Sequence, residues 1–182
     1  CMSVMLLQLM SPLVHADGSE SLGPPSITIG AGTGIAAAGV GLSEAQPGVI
    51  SVDVPAGATV NQVLLYWEGR HEFPLAEGDN TATVNGTEVT GEWIGGMDLR
   101  RSASSAYRAD ITDLGVVNAG TSNLSIGGLE FLTNNGAGVV VIFADSSADA
   151  AAIDLRDGND FAFYAYPDPQ DTTVAQTFTF EA

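Results

Sequence analysis

The sequence predicts an all-β chain, a two-layer antiparallel β-sandwich that is jelly-roll-like. Three observations carry that prediction. Short apolar or alternating segments recur between turns, and 22 glycines are spread along the chain. Apolar residues nowhere keep the roughly 3.6-residue spacing of a helix face over a sustained window. Residues 81–90 (TATVNGTEVT) set Asn85-Gly86 between two alternating β-branched arms. That dipeptide most readily takes φ > 0 at both centres of a type I′ hairpin.

Along the chain, the first two strands are expected at 26–29 (SITI) and 49–54 (VISVDV), the second closed by Pro55-Ala56-Gly57. Residues 60–68 (VNQVLLYWE) come next. Val63, Leu65 and Trp67 point to one side and Leu64 and Tyr66 to the other, so the middle of this strand is apolar on both faces. Such a strand lies centrally, or its second face meets a partner. After the hairpin, strands are expected at 105–111, 123–126, 138–144, 151–155, 161–166 and 173–180. Continuous apolarity over 139–143 (VVVIF) makes that strand the most buried, and Asp157-Gly158 marks a second tight turn. The total is roughly ten strands. Residues 17–48 read as a glycine-rich lead-in carrying the first strand, and 49–182 as the sandwich domain. The last expected strand runs to Glu181-Ala182 with no turn or polar tail after it. The expectation is a domain that continues past this sequence, with an edge open where the next strand is missing.

Charge narrows the partners. Of 182 residues, 5 are cationic, all arginine, against 22 acidic ones, for a net charge of −17. A chain without a basic face excludes nucleic acid or anionic lipid as a bulk partner. Residues 2–14 (MSVMLLQLMSPLV) carry no charge, and Val14-His15-Ala16 resembles a signal-peptidase site ahead of the polar Asp17-Gly18-Ser19-Glu20. The run is too short to span hydrocarbon, which takes about 20 residues. Residues 1–16 are therefore read as a signal peptide whose start is missing; acylation of Cys1 is the competing reading. The mature chain then lies outside the cell or on its surface, with no membrane insertion after signal removal. It has no cysteine, so it must hold together in an oxidising compartment without a disulfide.

The ordered motifs carry a resemblance. They are Val-Pro-Ala-Gly-Ala-Thr-Val (54–60), Leu-Leu-Tyr-Trp-Glu-Gly (64–69), Thr-Val-Asn-Gly-Thr (83–87) and Tyr-Arg-Ala-Asp-Ile-Thr (107–112). Asn-Gly-Ala-Gly-Val-Val-Val-Ile-Phe (135–143) and Arg-Asp-Gly-Asn-Asp (156–160) complete the set. Over most of 49–182 the chain is similar to uncharacterised β-sandwich modules of large bacterial and archaeal secreted or surface-anchored, adhesin-like proteins. The resemblance implies an extracellular location and a structural or adhesive role. It lends no catalytic residue.

Candidate chemistry is sparse. Gly30, Gly32 and Gly34 after residues 26–29, with Asp53 some way beyond, imitate a dinucleotide fingerprint, but Ile35 displaces the third glycine and no βαβ unit follows. Asp154, Asp157, Asn159 and Asp160 crowd the hard oxygen ligands that Ca²⁺ takes, although their spacing also fits a hairpin turn and departs from an EF-hand. Glu68, Arg70, His71 and Glu72 place two carboxylates and an imidazole together, which loop polarity explains equally well. Ser104-Ser105 and Ser146-Ser147 lack a nucleophile elbow. Arg108 and Asp110 share one strand face, as a ligand clamp or as an ion pair fixing register. Tyr66, Trp67, Trp93, Tyr164 and Tyr166 could stack on sugars if they lie together on an exposed face, and Trp93, Tyr164 and Tyr166 are the candidate ligand-binding rings.

The function expected from these readings is non-enzymatic. The chain is a module of a cell-surface or matrix protein, acting in adhesion, scaffolding or assembly and stabilised by calcium. Its partners are other surface or matrix proteins, polysaccharide, or further copies pairing through an edge strand. The alternative is a carbohydrate-binding module of a larger secreted enzyme.

Overall fold

The structure, a computed structural model, describes residues 22–72, 78–99, 102–160 and 162–180; the expected signal peptide lies outside the described residues. Among the described residues nine strands and one 3₁₀ turn (Thr112–Leu114) follow in order. They are β1 (Gly34–Gly41), β2 (Gly48–Val54), β3 (Thr59–Glu72), β4 (Thr81–Val84), β5 (Thr87–Thr90), β6 (Glu92–Leu99), β7 (Ser102–Asp110), β8 (Gly120–Gly127) and β9 (Thr133–Ala144). All pairings are antiparallel, in a five-stranded sheet of order β1-β9-β3-β7-β6 and a four-stranded sheet of order β2-β8-β4-β5. The chain is thus an all-β, two-layer sandwich. Apart from the β4–β5 and β6–β7 hairpins, sequence neighbours alternate between the two sheets in the interleaved manner of a jelly roll, with β6 added beyond β7.

Period-two burial closes the layers. Ile50, Val52 and Val54 of β2 and Leu124 and Ile126 of β8 face Val63, Leu65 and Trp67 of β3 and Val139 and Val141 of β9. The Asn85-Gly86 hairpin forms as expected, with φ of 51° and 82°. Two strands appear where none was expected. Glycine and alanine made residues 34–41 look like a flexible lead-in, yet all eight pair in register with β9. Residues 92–99 hold two adjacent glycines, and their register shifts between Trp93 and Gly95.

Four expected strands are absent from the ladders. Residues 26–29, 151–155, 162–166 and 173–180 take no part in either sheet; Phe161 lies outside the described residues. These stretches belong to two arms that cover the outer face of the five-stranded sheet. The arms meet through isolated bridges at Gly23–Asp157 and Gly32–Ala151. The physical reason lies in β3. Its neighbours β7 and β9 already occupy both of its lateral sides, so Leu64 can lose water only beneath something laid across the sheet. Leu64 and Ile142 are both fully buried although they point away from the facing sheet.

Gly95 marks one crossing. A Cβ there would stand 2.6 Å from the backbone nitrogen of Asn159, so only glycine lets the arm pass this close. Gly95→Ala is expected to lift residues 156–160 from the sheet. Limited proteolysis should then cut this stretch several-fold faster, with little change in far-UV circular dichroism.

Candidate functional site

The outer face of the five-stranded sheet gathers the polar groups. Alternation sends Gln62, Leu64, Tyr66, Glu68 and Arg70 of β3 to this side, the last four opposite Asp110, Arg108, Ala106 and Ser104 of β7. Cross-strand pairing sets Tyr66 beside Arg108, and Arg108 beside Glu92 of β6. Arg108 is 2% exposed and works as a hub. Its Nη1 donates to Asp157 Oδ2, and its Nη2 donates to Glu92 Oε2 at 2.9 Å and to Ser26 Oγ at 3.0 Å. Tyr66 Oη donates to the other Asp157 oxygen at 3.3 Å, and Ser26 Oγ donates to Glu92 Oε2 at 2.8 Å. One guanidinium therefore ties β6, β7 and both arms together, as a planar fork of donors allows. Burial pushes the Tyr66 phenol up, against the opposing pull of Arg108.

A second cluster holds the arm at 28–30. Gln62 Nε2 donates to Asp110 Oδ2 at 2.8 Å and to the Thr28 carbonyl at 3.2 Å, while Gly30 N donates to Gln62 Oε1 at 2.7 Å. Partial burial would raise the Asp110 carboxyl, but hydrogen bonds from Thr112 and Gln62, aided by Arg108, outweigh it and hold the group below its ordinary value. The sign of the linkage follows: the contribution is present above the ordinary carboxylate pKa and is lost as pH falls through the lower folded value. Urea midpoints of wild type and Asp110→Asn should therefore differ at neutral pH and converge in acid.

Beside this hub an open groove of about 590 Å³ crosses the sheet, bordered by Tyr66, Glu68, Ile94, Gly138, Asn159 and Val174. Gly136 and Gly138 stand opposite Glu68 and Tyr66, so no side chain fills the floor on the β9 side. Glu68 accepts from Ser104 Oγ at 2.5 Å and from Asn135 Nδ2 at 2.6 Å. Asn159 Nδ2 donates to Ser104 Oγ at 2.9 Å. Ile94 also borders a smaller cleft of about 270 Å³ that reaches Glu92, Trp93 and Asp157.

The four residues singled out for calcium make different contacts, and Asp160 Oδ1 is buried without a hydrogen-bond partner. Asp157 serves Arg108 and Tyr66, Asp154 pairs with Arg156 at 2.7 Å, Asn159 reaches Ser104, and Asp160 Oδ2 accepts from Val174 N at 2.7 Å. Among the described residues no three His, Cys, Asp or Glu side chains are grouped to hold a metal ion. Calcium bound through Asp157 would compete with Arg108. The thermal midpoint in calcium and in chelator tests the calcium reading: a rise of several degrees in calcium would show an ion held here, and no shift would leave these residues to their protein partners.

Of the candidate rings, Trp93 and Tyr164 are exposed and Tyr166 is half-buried, and they do not form one platform. Tyr164 is 86% exposed and Trp93 51%. Phe163 meets Tyr164 at 53° and Tyr166 at 68°, so the arm's rings sit at steep angles to one another. Trp93 lies on β6 opposite Tyr107. Tyr66 borders the groove from the outer face of its strand, and Trp67 and Tyr107 also line it.

The carboxylate–imidazole cluster is split by its own strand. Glu68 turns outward, while His71 turns inward and is buried beside Phe131. His71 Nε2 lies 2.7 Å from Ser105 Oγ, and its Nδ1 lies 3.0 Å from the Glu72 carbonyl. With the proton on Nδ1 facing that carbonyl, Nε2 accepts from the hydroxyl, the arrangement of a serine and its base. Ser105 is only 1% exposed, however, and a Cβ on Gly78 would stand 3.0 Å from its Oγ. The pair serves the interior. Burial likewise raises the neighbouring Tyr107 phenol, opposed by its Ser105 hydrogen bond and assisted by Asp79.

No family model matches the chain, and no curated protein or solved structure is significantly similar to it.

Proposed function

We propose that the chain is a non-enzymatic, exported β-sandwich module of a cell-surface or matrix protein, acting in adhesion, scaffolding or assembly. The observation that carries this reading is how the surface is divided. The polar groups of the sheet's outer face are spent on fastening the arms, whereas an uncharged edge strand and several rings stay open to partners. Large exposed apolar groups on an otherwise acidic, lysine-free chain mark contact surface rather than a reaction centre. The test is an epitope tag inserted in frame after Ala182 of the gene in its own host, where the native leader is present. Antibody should reach the tag on intact cells, and these cells should clump or bind matrix more than cells lacking the gene. A tag reached only after lysis would contradict the reading.

A second reading, a carbohydrate-binding module of a larger secreted enzyme, is favoured by the open groove with Tyr66 at its border and by the exposure of Tyr164 and Trp93. Affinity electrophoresis in gels of neutral polysaccharide separates the two, because Gly138→Phe would fill the groove beside Tyr66 and abolish any retardation.

A further inference from the structure

We propose that two copies of this chain associate through the free edge of β1, joining their five-stranded sheets about a two-fold axis. The inference rests on the surface-module reading and names the first partner as a second copy.

The sandwich has four sheet edges, β1 and β6 on one sheet and β2 and β5 on the other. Native sheets discourage edge pairing with charge, bulges or brevity. Three edges here do so. β6 carries Glu92, Asp98 and a bulge; β5 is four residues long and carries Glu88; β2 carries Asp53. β1 (GIAAAGVG) does not: its eight residues include no charge and no proline, and its register on β9 runs unbroken from Gly34–Phe143 to Gly41–Gly136. Thr33 N to Phe143 O at 2.8 Å and Leu42 N to Asn135 O at 3.1 Å extend that ladder past both ends. Among the described residues no strand pairs with the other side of β1.

Face parity selects the partner. Ile35, Ala37, Gly39 and Gly41 are exposed, whereas Ala36, Ala38 and Val40 pack against the core. In an antiparallel pair, directly opposed residues share a face, so a partner strand must match this alternation. A second β1 matches it when Ala38 lies on the axis. Ala37 then meets Gly39, Ala36 meets Val40, and Ile35 meets Gly41, so the bulkier residue always faces a small one. No like charges are opposed, although each chain carries −17. Moving the axis to Ala37 would set Val40 against Gly34 and lose the Ala36–Val40 contact between the two cores. Such an interface is isologous and closes, giving a dimer rather than a filament.

The test uses the full chain in a Cys1→Ser background at physiological salt. Sedimentation equilibrium should give twice the protomer mass. Ala37→Lys and Ile35→Lys, both at exposed positions, should weaken the dimer by roughly tenfold or more while leaving the circular dichroism unchanged. Oxidised Ile35→Cys/Gly41→Cys should yield a covalent dimer, and Ile35→Cys/Gly39→Cys should not. A protomer mass at all concentrations, a dimer indifferent to both lysine variants, or cross-linking only through 35 and 39 would overturn the proposal. The two ideas fail separately: a monomer that still reaches the surface and adheres removes the dimer alone, whereas a dimer found only inside cells removes the surface-module reading.

Discussion

Trp67→Ala is expected to destabilise the fold by about 3–5 kcal/mol, the cost of emptying a large buried aromatic site. Trp67 is 2% exposed on the central strand β3, and its ring lies 5.8 Å from that of Tyr107, tilted by 21°. The site is closely filled from the other side: a Cβ on Gly91 would lie 2.4 Å from the indole. Truncation also removes the indole N–H that donates to the Asp79 carbonyl at 3.1 Å, leaving that acceptor without this partner. The urea midpoint should fall with an unchanged slope, and the thermal midpoint should drop by roughly 6–20 °C. A loss below about 1 kcal/mol would mean that this part of the core collapses around the gap.

Arg108→Leu should cost a similar amount, about 3–5 kcal/mol, for a different reason. The substitution leaves Asp157, 9% exposed, without its cation beneath the arms. Glu92 suffers less, because its side chain is 54% exposed and water replaces the lost partner. Asp157→Asn keeps Arg108 bonded to Glu92 and Ser26 and should cost less, about 1–3 kcal/mol. The double variant Arg108→Leu/Asp157→Leu should recover part of the single loss, since no charge is then stranded. Denaturant unfolding of the three variants checks the ordering.

Local chemistry was legible in the sequence and lateral partners were not. Asn85-Gly86 announces its turn because two positive φ angles are a local demand. The two-faced strand at Val63–Trp67 announces a second covered surface, and Arg108 and Asp110 do share a face. Alternation, however, reports burial rather than ladder pairing. The segments at 26–29, 151–155 and 173–180 half-bury some of their residues by lying across a sheet, and so read as strands. Residues 34–41 failed in the opposite sense: glycine and alanine have low strand preference, and pairing with β9 overrides it. The hub at Arg108 was partly visible, but its partners Ser26, Glu92 and Asp157 are 82, 16 and 49 residues away. Nothing local told Asp157 apart from its acidic neighbours, and the turn expected at Asp157-Gly158 is instead an isolated bridge from Asp157 to Gly23.

Amide hydrogen exchange on the folded wild-type chain bears most directly on the clamped arms. The amides of Gly23, Gly30, Ala151 and Asp157 each donate to a partner across the arms or onto the sheet, at 2.7 to 2.9 Å. They should be protected nearly as well as those of β3 and β9, and should lose that protection first in Arg108→Leu. Free exchange at these four positions in wild type, with β3 and β9 still protected, would show that the arms are not fastened and that the buried guanidinium does not hold them.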